Sequence, residues 1–426
     1  MPKLNVISLF TGAGGLDYGF EAAGFTTRVA IEMDSDCCET IKKNRDWPVI
    51  CQDINDVSSE QILKTAGIKK GKVDVLIGGP PCQPFSKSGY WVNGDTLRLN
   101  DKRANTLYAY MRCVSDLLPK VFFLENVHGI NFSGKEEGFL LLERLTKEIN
   151  RQTGMRYKLS WRVLDSSDYG VPQARTRFFL IGHREGERFQ FPEPTHGDLI
   201  ERNTMQLSLL GHEILPKITA WDAIGDIKPT EAESLKVRGR WATLLPSIPE
   251  GENYLWHTNR KGGLPLFGWR AKYWSFLLKL AKNKPSWTIQ AQPGPAIGPF
   301  HWKNRLLSVR EMARIQTFPD NINFVGIRLS IQRQIGNAVP SLIAEILARE
   351  IGEQFFGMSK SESPTLKITY KRPIPPPEPV ELVPEEYHYL QGDHPDHPGE
   401  GNGNRVKKAK REDEKNLVRE PELSYA

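Results

Sequence analysis

Short β-branched or apolar runs alternate with segments of helical period along the first 181 residues, and this alternation limits the fold more than any other feature. Leu4–Phe10, Arg28–Ile31, Val73–Ile77, Val121–Leu124 and Phe178–Ile181 read as strands. Leu16–Ala23, Ser58–Ala66 and Asn105–Leu118 read as the helices between them. The pattern predicts an α/β fold with a doubly wound, mainly parallel sheet. From about Gly182 to Arg305 it gives way to loops that carry seven of the ten tryptophans, which reads as a smaller, loop-rich second domain. Helical period returns over Ser308–Gln316 and Ser341–Phe355, so the main domain is expected to be discontinuous, formed by 1–181 and 306–358. Beyond Met358, Pro373–Pro379 and the basic cluster Arg405–Arg411 show no apolar period, and 359–426 are expected to be a disordered tail.

The first strand runs into Phe10-Thr11-Gly12-Ala13-Gly14-Gly15-Leu16. Its glycines permit a tight turn and let a ligand approach backbone N–H groups at a helix start. The loop lacks the Gly-Lys-Ser/Thr ending of a phosphate-binding loop, and Asp17 stands at the third-glycine position of a dinucleotide fingerprint. Triphosphate and NAD readings therefore lose ground. Glu32 follows the second strand, where a carboxylate can accept hydrogen bonds from both ribose hydroxyls, and Asp53 holds a similar place after Val49–Cys51. Either also reads as a helix cap. The order of glycine loop, acid and acid at successive strand ends fits an adenosine-containing ligand at the carboxyl edge of a parallel sheet.

After Val73–Ile77 comes Gly78-Gly79-Pro80-Pro81-Cys82-Gln83-Pro84-Phe85-Ser86. A lone cysteine is most often a small buried hydrophobe, but Cys82 lies among prolines past a strand end, where packing is least expected. Val121–Leu124 brings Glu125-Asn126-Val127 to the same sheet edge. A thiol and a carboxylic acid facing one crevice suit a particular difficulty: carbon 5 of cytosine is too poor a nucleophile to take a methyl group unaided. Thiolate addition at C6 with protonation of N3 would activate it, and loss of the C5 proton would then expel the cysteine. An unperturbed thiol is only about 3% ionised at pH 7, so the site needs positive potential or a proton acceptor. Arg175 and Arg177 in Gln173-Ala174-Arg175-Thr176-Arg177 are candidates, and one of them could hold both Glu125 and the cytosine O2; a solvated pair would look the same in sequence.

These blocks, with Arg310–Pro319 and Gln334-Ile335-Gly336-Asn337-Ala338-Val339-Pro340, resemble the DNA (cytosine-5)-methyltransferase family from Leu4 to about Phe356. The resemblance is to its prokaryotic restriction-modification type, which fits a chain that starts at the first strand. It implies S-adenosylmethionine as cofactor, bound by Phe10, Gly12, Gly14, Leu16, Glu32, Met33, Asp53, Ile54, Pro80, Asn337 and Val339. It implies catalysis by Cys82, Glu125, Arg175 and Arg177 on a cytosine flipped out of double-stranded DNA, and a target-recognition domain over 182–305. A related enzyme acting on transfer RNA shares the cysteine and Glu-Asn-Val blocks, but the long recognition region favours duplex DNA. A binding-only regulator is disfavoured by the intact Cys82 and Glu125.

Between Asn253 and Arg305 there are nine Lys or Arg and no acid, interleaved with five tryptophans, which reads as a nucleic-acid face. The competing reading is a small tryptophan-rich core with solvated lysines. Arg260, Lys261, Arg270 and Lys272 are candidate phosphate contacts. Ser86, Lys87 and Arg98 lie where a loop, Lys87–Lys102, could close over a flipped base. The net charge of +6 permits DNA binding. Five cysteines, odd in number and without C-x-x-C spacing, argue against disulfides and zinc, and hence for a reducing interior. No export signal or membrane span is read. A cytoplasmic monomer is expected, paired in function with a restriction endonuclease.

Overall fold

A computed structural model describes residues 4–81, 105–131, 137–198, 206–207, 213–229, 234–269, 273–359, 363–369, 373–392 and 394. Cys82, Ser86, Lys87, Arg98, Arg270 and Lys272 lie outside the described residues.

Seven strands form the main sheet: β1 (Asn5–Leu9), β2 (Thr26–Glu32), β3 (Val49–Cys51), β4 (Val75–Gly78), β5 (Val121–Val127), β6 (Lys158–Asp165) and, after the two-residue β7 (Gln173–Ala174), β8 (Thr176–His183). Their spatial order is β3-β2-β1-β4-β5-β8-β6. The first five run parallel, while β8 is antiparallel to both β5 and β6. The expected doubly wound sheet is present. Strands covered on both faces read as unbroken apolar runs, and alternate residues here enter two separate cores. Ile7, Leu9, Leu76, Phe122 and Leu124 pack on one face with α3 (Ser59–Ala66), α4 (Asn105–Leu117) and α5 (Glu137–Thr153). Val6, Val75, Ile77, Val121 and Phe123 pack on the other face with α1 (Gly15–Ala22) and the last helix.

Three short strands at His196–Gly197, Gln206–Leu207 and Glu213–Pro216 (β9 to β11) form a second sheet, followed by α6 (Ala220–Ile224). The chain returns to the main sheet through α7 (Val309–Ile315), α8 (Arg328–Asn337) and α9 (Ser341–Phe356). Helix α9 lies so close to α1 that a Cβ on Gly19 would fall 2.4 Å from the Ala344 methyl and 2.5 Å from the Ser341 carbonyl. Only glycine fits there. Helix α2 (Ser35–Asn44), α5, α8 and β6 are elements that apolar periodicity did not reveal. In α2 only four of ten residues are buried, and the start signal is polar: Asp34 caps it, accepting from the Asp36 and Cys37 N–H groups.

Three expectations need correction. First, the chain divides into one unit of 1–235, 280–293 and 306–376 and another of 236–279, 294–305 and 377–426, not at 182 and 305. Residues 280–293 join the first unit because β12 (Ser286–Trp287) pairs with β7, and the Thr288 hydroxyl and Ile289 N–H bond to Ala174 and Gln173. Second, the span from 377 to 392 is not a disordered tail but a strap across the second unit. Tyr387 is buried, stacks on Trp241 at 5.7 Å, and its hydroxyl lies 2.7 Å from that of Thr243 and donates to the Arg240 carbonyl at 2.5 Å. The Glu378 N–H bonds to the Glu250 carboxylate and the Glu381 N–H to the Pro246 carbonyl. A proline-rich segment shows no periodicity because it makes its contacts in extended form, through backbone N–H groups and one aromatic anchor. Third, Cys38 and Cys51 are joined as a disulfide, with Cα atoms 6.1 Å apart. Their sequence spacing conceals a contact that the packing of α2 on β3 creates. Among the described residues no helix is long and apolar enough to cross a membrane.

Because the strap completes the second unit's aromatic cluster, Tyr387→Ala should lower that unit's unfolding free energy by about 3 kcal/mol. Urea denaturation followed by tryptophan fluorescence measures this, and a shift below about 0.5 kcal/mol would show the strap to be a passive cover.

Candidate active site

The parallel strands end at one edge of the sheet, and β1, between β2 and β4, is where the winding reverses, leaving a crevice beyond its carboxyl end. Phe10, Gly12 and Gly14 lie there with φ of 53°, 56° and 85°. A Cβ on Gly12 would meet nothing within 4 Å, so the turn faces open space. Glu32 closes the turn from the next strand: its Oε2 accepts from the Gly12 N–H at 2.7 Å, and its Oε1 accepts from the Met33 and Asp34 N–H groups at 2.9 Å. Burial pushes its pKa up, against those three bonds. The Met33 side chain is exposed beside it. Asp53 Oδ1 caps the short helix Ile54–Asp56 through the Asn55 N–H, and Ile54 is buried. The capping reading of the two acids is what the bonds display, since each carboxylate accepts from local backbone N–H groups.

The far end of the chain returns to this loop. A Cβ on Gly15 would lie 2.5 Å from the Val339 carbonyl and 2.9 Å from the Ala338 methyl. Val339 is buried and Asn337 exposed at the end of α8. Leu16 is buried in the core behind the loop. There too, out of reach of sequence reasoning, sits Asp17, fully buried, accepting from the Ser8 hydroxyl at 3.0 Å and the Thr27 hydroxyl at 3.4 Å. Burial, opposed by these donors, raises its pKa to about 7.

At the end of β5, Glu125 is buried, and its Oε1 pairs with Arg177 Nε at 3.1 Å. Its Oε2 would be 3.1 Å from a Cβ on Gly79, so the carboxyl abuts the loop leading to Cys82. The Asn126 side-chain amide donates to the Pro80 carbonyl at 3.1 Å and fixes that loop. Asn126 stood inside the Glu-Asn-Val block, yet only the fold shows what its amide reaches. Burial raises the Glu125 pKa more than Arg177 and Arg175 lower it. Arg175 is fully buried; its Nη2 donates to the Gly336 carbonyl at 3.0 Å, while Nε and Nη1 have no partner among the described residues. Arg177 holds the acid, and Arg175 holds the Gly336 turn.

In the second unit, Arg260 lies over the Trp269 ring at 4.4 Å, and Lys261 pairs with Glu252 at 3.1 Å. Trp274 is exposed, whereas Trp302 and Lys279 are buried. Burial lowers the Lys279 pKa to about 8, partly offset by Glu250 and Glu381. The acid-free stretch is therefore part surface and part core.

The chain belongs to the C-5 cytosine-specific DNA methylase family, whose pattern it matches over residues 4–353. It is 38% identical over 375 residues to the type II methyltransferase M.SacI of Streptomyces achromogenes, covering 83% of this chain and 93% of that one. It is 33% identical over 358 residues to the type II methyltransferase M1.HphI of Haemophilus parahaemolyticus, covering 82% and 87%. Among solved structures, a protein encoded within an E. coli prophage and described as a DNA modification methyltransferase superposes with a TM-score of 0.54 at 25% identity, covering 82% of this chain and 99% of that one.

The buried Asp17 gives a pH test. Its folded-state pKa of about 7 lies above the unfolded value of 3.8, so the folded chain holds a proton the unfolded chain has lost between those pH values. Its contribution is complete below pH 3.8 and is lost as pH rises through 7. Asp17→Asn should therefore gain on wild type between pH 5 and pH 8 in urea denaturation; parallel pH profiles would show Asp17 to be ionised in the fold.

Proposed function

We propose that the chain methylates a sequence-selected cytosine in double-stranded DNA through a covalent adduct between Cys82 and C6, with S-adenosylmethionine as methyl donor. The observation that carries this reading is the buried Glu125–Arg177 pair set against the Gly79–Pro80 loop, at the sheet edge that also holds the glycine turn and Glu32. Glu125, whose pKa burial raises, donates a proton to cytosine N3 as the Cys82 sulfur adds to C6. Arg177 fixes the acid's direction, and Nε and Nη1 of Arg175, which have no partner among the described residues, are proposed as donors to the ring's carbonyl oxygen.

The residues at the crevice fit the donor. Gly12 leaves space before the turn, Glu32 and Asp53 offer carboxylate lone pairs for ribose and amine groups, and Phe10, Met33, Ile54, Val339, Gly14, Pro80 and Asn337 are proposed to complete the site, with Leu16 packed in the core behind it. When bound, S-adenosylmethionine supplies an electrophilic methyl that the activated C5 accepts. Loss of the C5 proton then expels Cys82 and restores the aromatic ring.

Duplex DNA as substrate is supported by the basic, tryptophan-bearing stretch of 253–305, in which Arg260, Lys261, Arg270 and Lys272 are proposed to meet phosphates. Ser86, Lys87 and Arg98 are proposed to meet DNA next to the nucleophile. The similarity to type II methyltransferases supports a role opposite a restriction endonuclease, and we propose that the chain acts in the cytoplasm as a monomer.

Cys82→Ala should lower methyl transfer roughly 10⁴-fold or more while S-adenosylmethionine still binds. Wild type should form an adduct with 5-fluorocytosine duplex DNA that survives a denaturing gel, and the variant should not. Near-normal turnover of the variant would overturn the mechanism. Glu125→Gln should cost about 10²- to 10⁴-fold in single-turnover rate with cofactor affinity within a few-fold of wild type. A variant that loses cofactor affinity and keeps its chemistry would move Glu125 to the cofactor site.

A further inference from the structure

At the end of the sheet away from the crevice, β8 finishes in His183 and turns through Arg184-Glu185-Gly186-Glu187. The register places His183 beside Val121, the first residue of β5, whereas Arg177 lies beside Val127, its last. His183 is 1% exposed, its ring stacked on Phe355 of α9 at 4.2 Å with the planes 7° apart. Neither ring nitrogen has a hydrogen-bond partner among the described residues. A buried imidazole normally bonds at least one nitrogen, so this ring is turned toward something that hydrogen bonds within the chain do not provide.

What it faces is a pair of carboxylates. One nitrogen of His183 and one oxygen from each of Glu185 and Glu187 lie within 4.8 Å of one another. Both glutamates are exposed and make no ion pair among the described residues. The neighbouring cations are engaged elsewhere: Lys120 Nζ donates to the Phe355 carbonyl, and Arg184 Nη1 donates to the Gly71 and Leu118 carbonyls.

We infer that His183, Glu185 and Glu187 form a binding site for a first-row transition-metal dication, zinc being the simplest, that fastens the β8 turn against the last helix. One imidazole with two carboxylates suits such an ion; an all-oxygen shell would suit calcium or magnesium, and thiolates would suit softer metals. Metal–ligand bonds of about 2.0–2.2 Å imply ligand separations of roughly 3.4 Å in a tetrahedron, so the exposed glutamates need close by at most about 1.4 Å. The site lies at the opposite end of β5 from Glu125, so its role is structural and independent of the methyl-transfer mechanism.

Full-length wild type, His183→Phe and the double variant Glu185→Gln/Glu187→Gln would be titrated with zinc by calorimetry and melted with and without the ion. Phenylalanine keeps the stack on Phe355, and the glutamines are exposed, so at least one variant retains the fold. Wild type should bind one more zinc per chain than either variant, and its melting temperature should rise with zinc while theirs do not. Zinc held by the thiols would persist in all three proteins and cancels in the comparison. Equal stoichiometry and equal melting shifts in wild type and the glutamine variant, or no saturable binding by wild type, would overturn the assignment.

Discussion

The site depends on one reversal of direction. Strand β8 runs antiparallel to β5, so the residues that begin β8 lie beside those that end β5, and Arg177 meets Glu125 from the neighbouring strand. Had β8 been parallel, its first residues would lie at the opposite edge, and Glu125 would be a buried acid without a cation. A carboxylate and a guanidinium removed from water are tolerated only as a hydrogen-bonded pair, so register and charge fix each other here. Removing one partner leaves the other buried and uncompensated, a far larger penalty than the pair's net contribution to stability.

A second tie brings distant blocks of sequence to that edge. The Gln173 side-chain amide donates to Gln316 Oε1 at 3.0 Å and its oxygen accepts the Ile289 N–H, while Gln316 donates to the Ile335 carbonyl at 2.7 Å. Arg175 adds its bond to Gly336, whose missing Cβ would sit 2.6 Å from Ala291 Cα. Four segments up to 160 or so residues apart meet in a buried polar network in which each amide has a partner. Such a network resists rearrangement, because breaking one bond leaves a desolvated donor or acceptor behind. It holds the 336–340 turn against Gly15, and so shapes the glycine loop from behind.

The second unit is held differently. It has little regular structure and relies on an aromatic cluster of Trp241, Tyr254, Phe267, Phe276 and Tyr387, the last supplied by the strap. Edge-on and stacked rings offer large apolar area with few rotatable bonds, which suits a body that must hold loops of many conformations. Charge in this unit is partly internal: Lys279 sits buried with Glu250 and Glu381 in its neighbourhood, while Arg260 rests on an indole. Counting lysines and arginines along the chain therefore overstates the surface available to a phosphate backbone.

The sequence by itself determined the α/β class, the parallel strands and the chemical types at their ends, because buried strands must be continuously apolar and turn positions at φ of 56° and 85° draw glycine. Glu125 and Glu32 were legible as acids following apolar runs, and the discontinuous main domain was legible in the helical period of Ser341–Phe355. Only the tertiary structure decided which arginine holds the acid, that Asn126 fixes the Pro80 loop, and that Asp17 is buried with two hydroxyls. The same is true of the Cys38–Cys51 link, of the place of 280–293 in the first unit and of the strap beyond 376, which carry no periodicity because their partners lie tens to hundreds of residues away. Local pattern records how a segment meets one face of a core; it does not record which polar group waits on the far side, since a hydrogen bond constrains one atom and leaves the neighbouring residues free to vary.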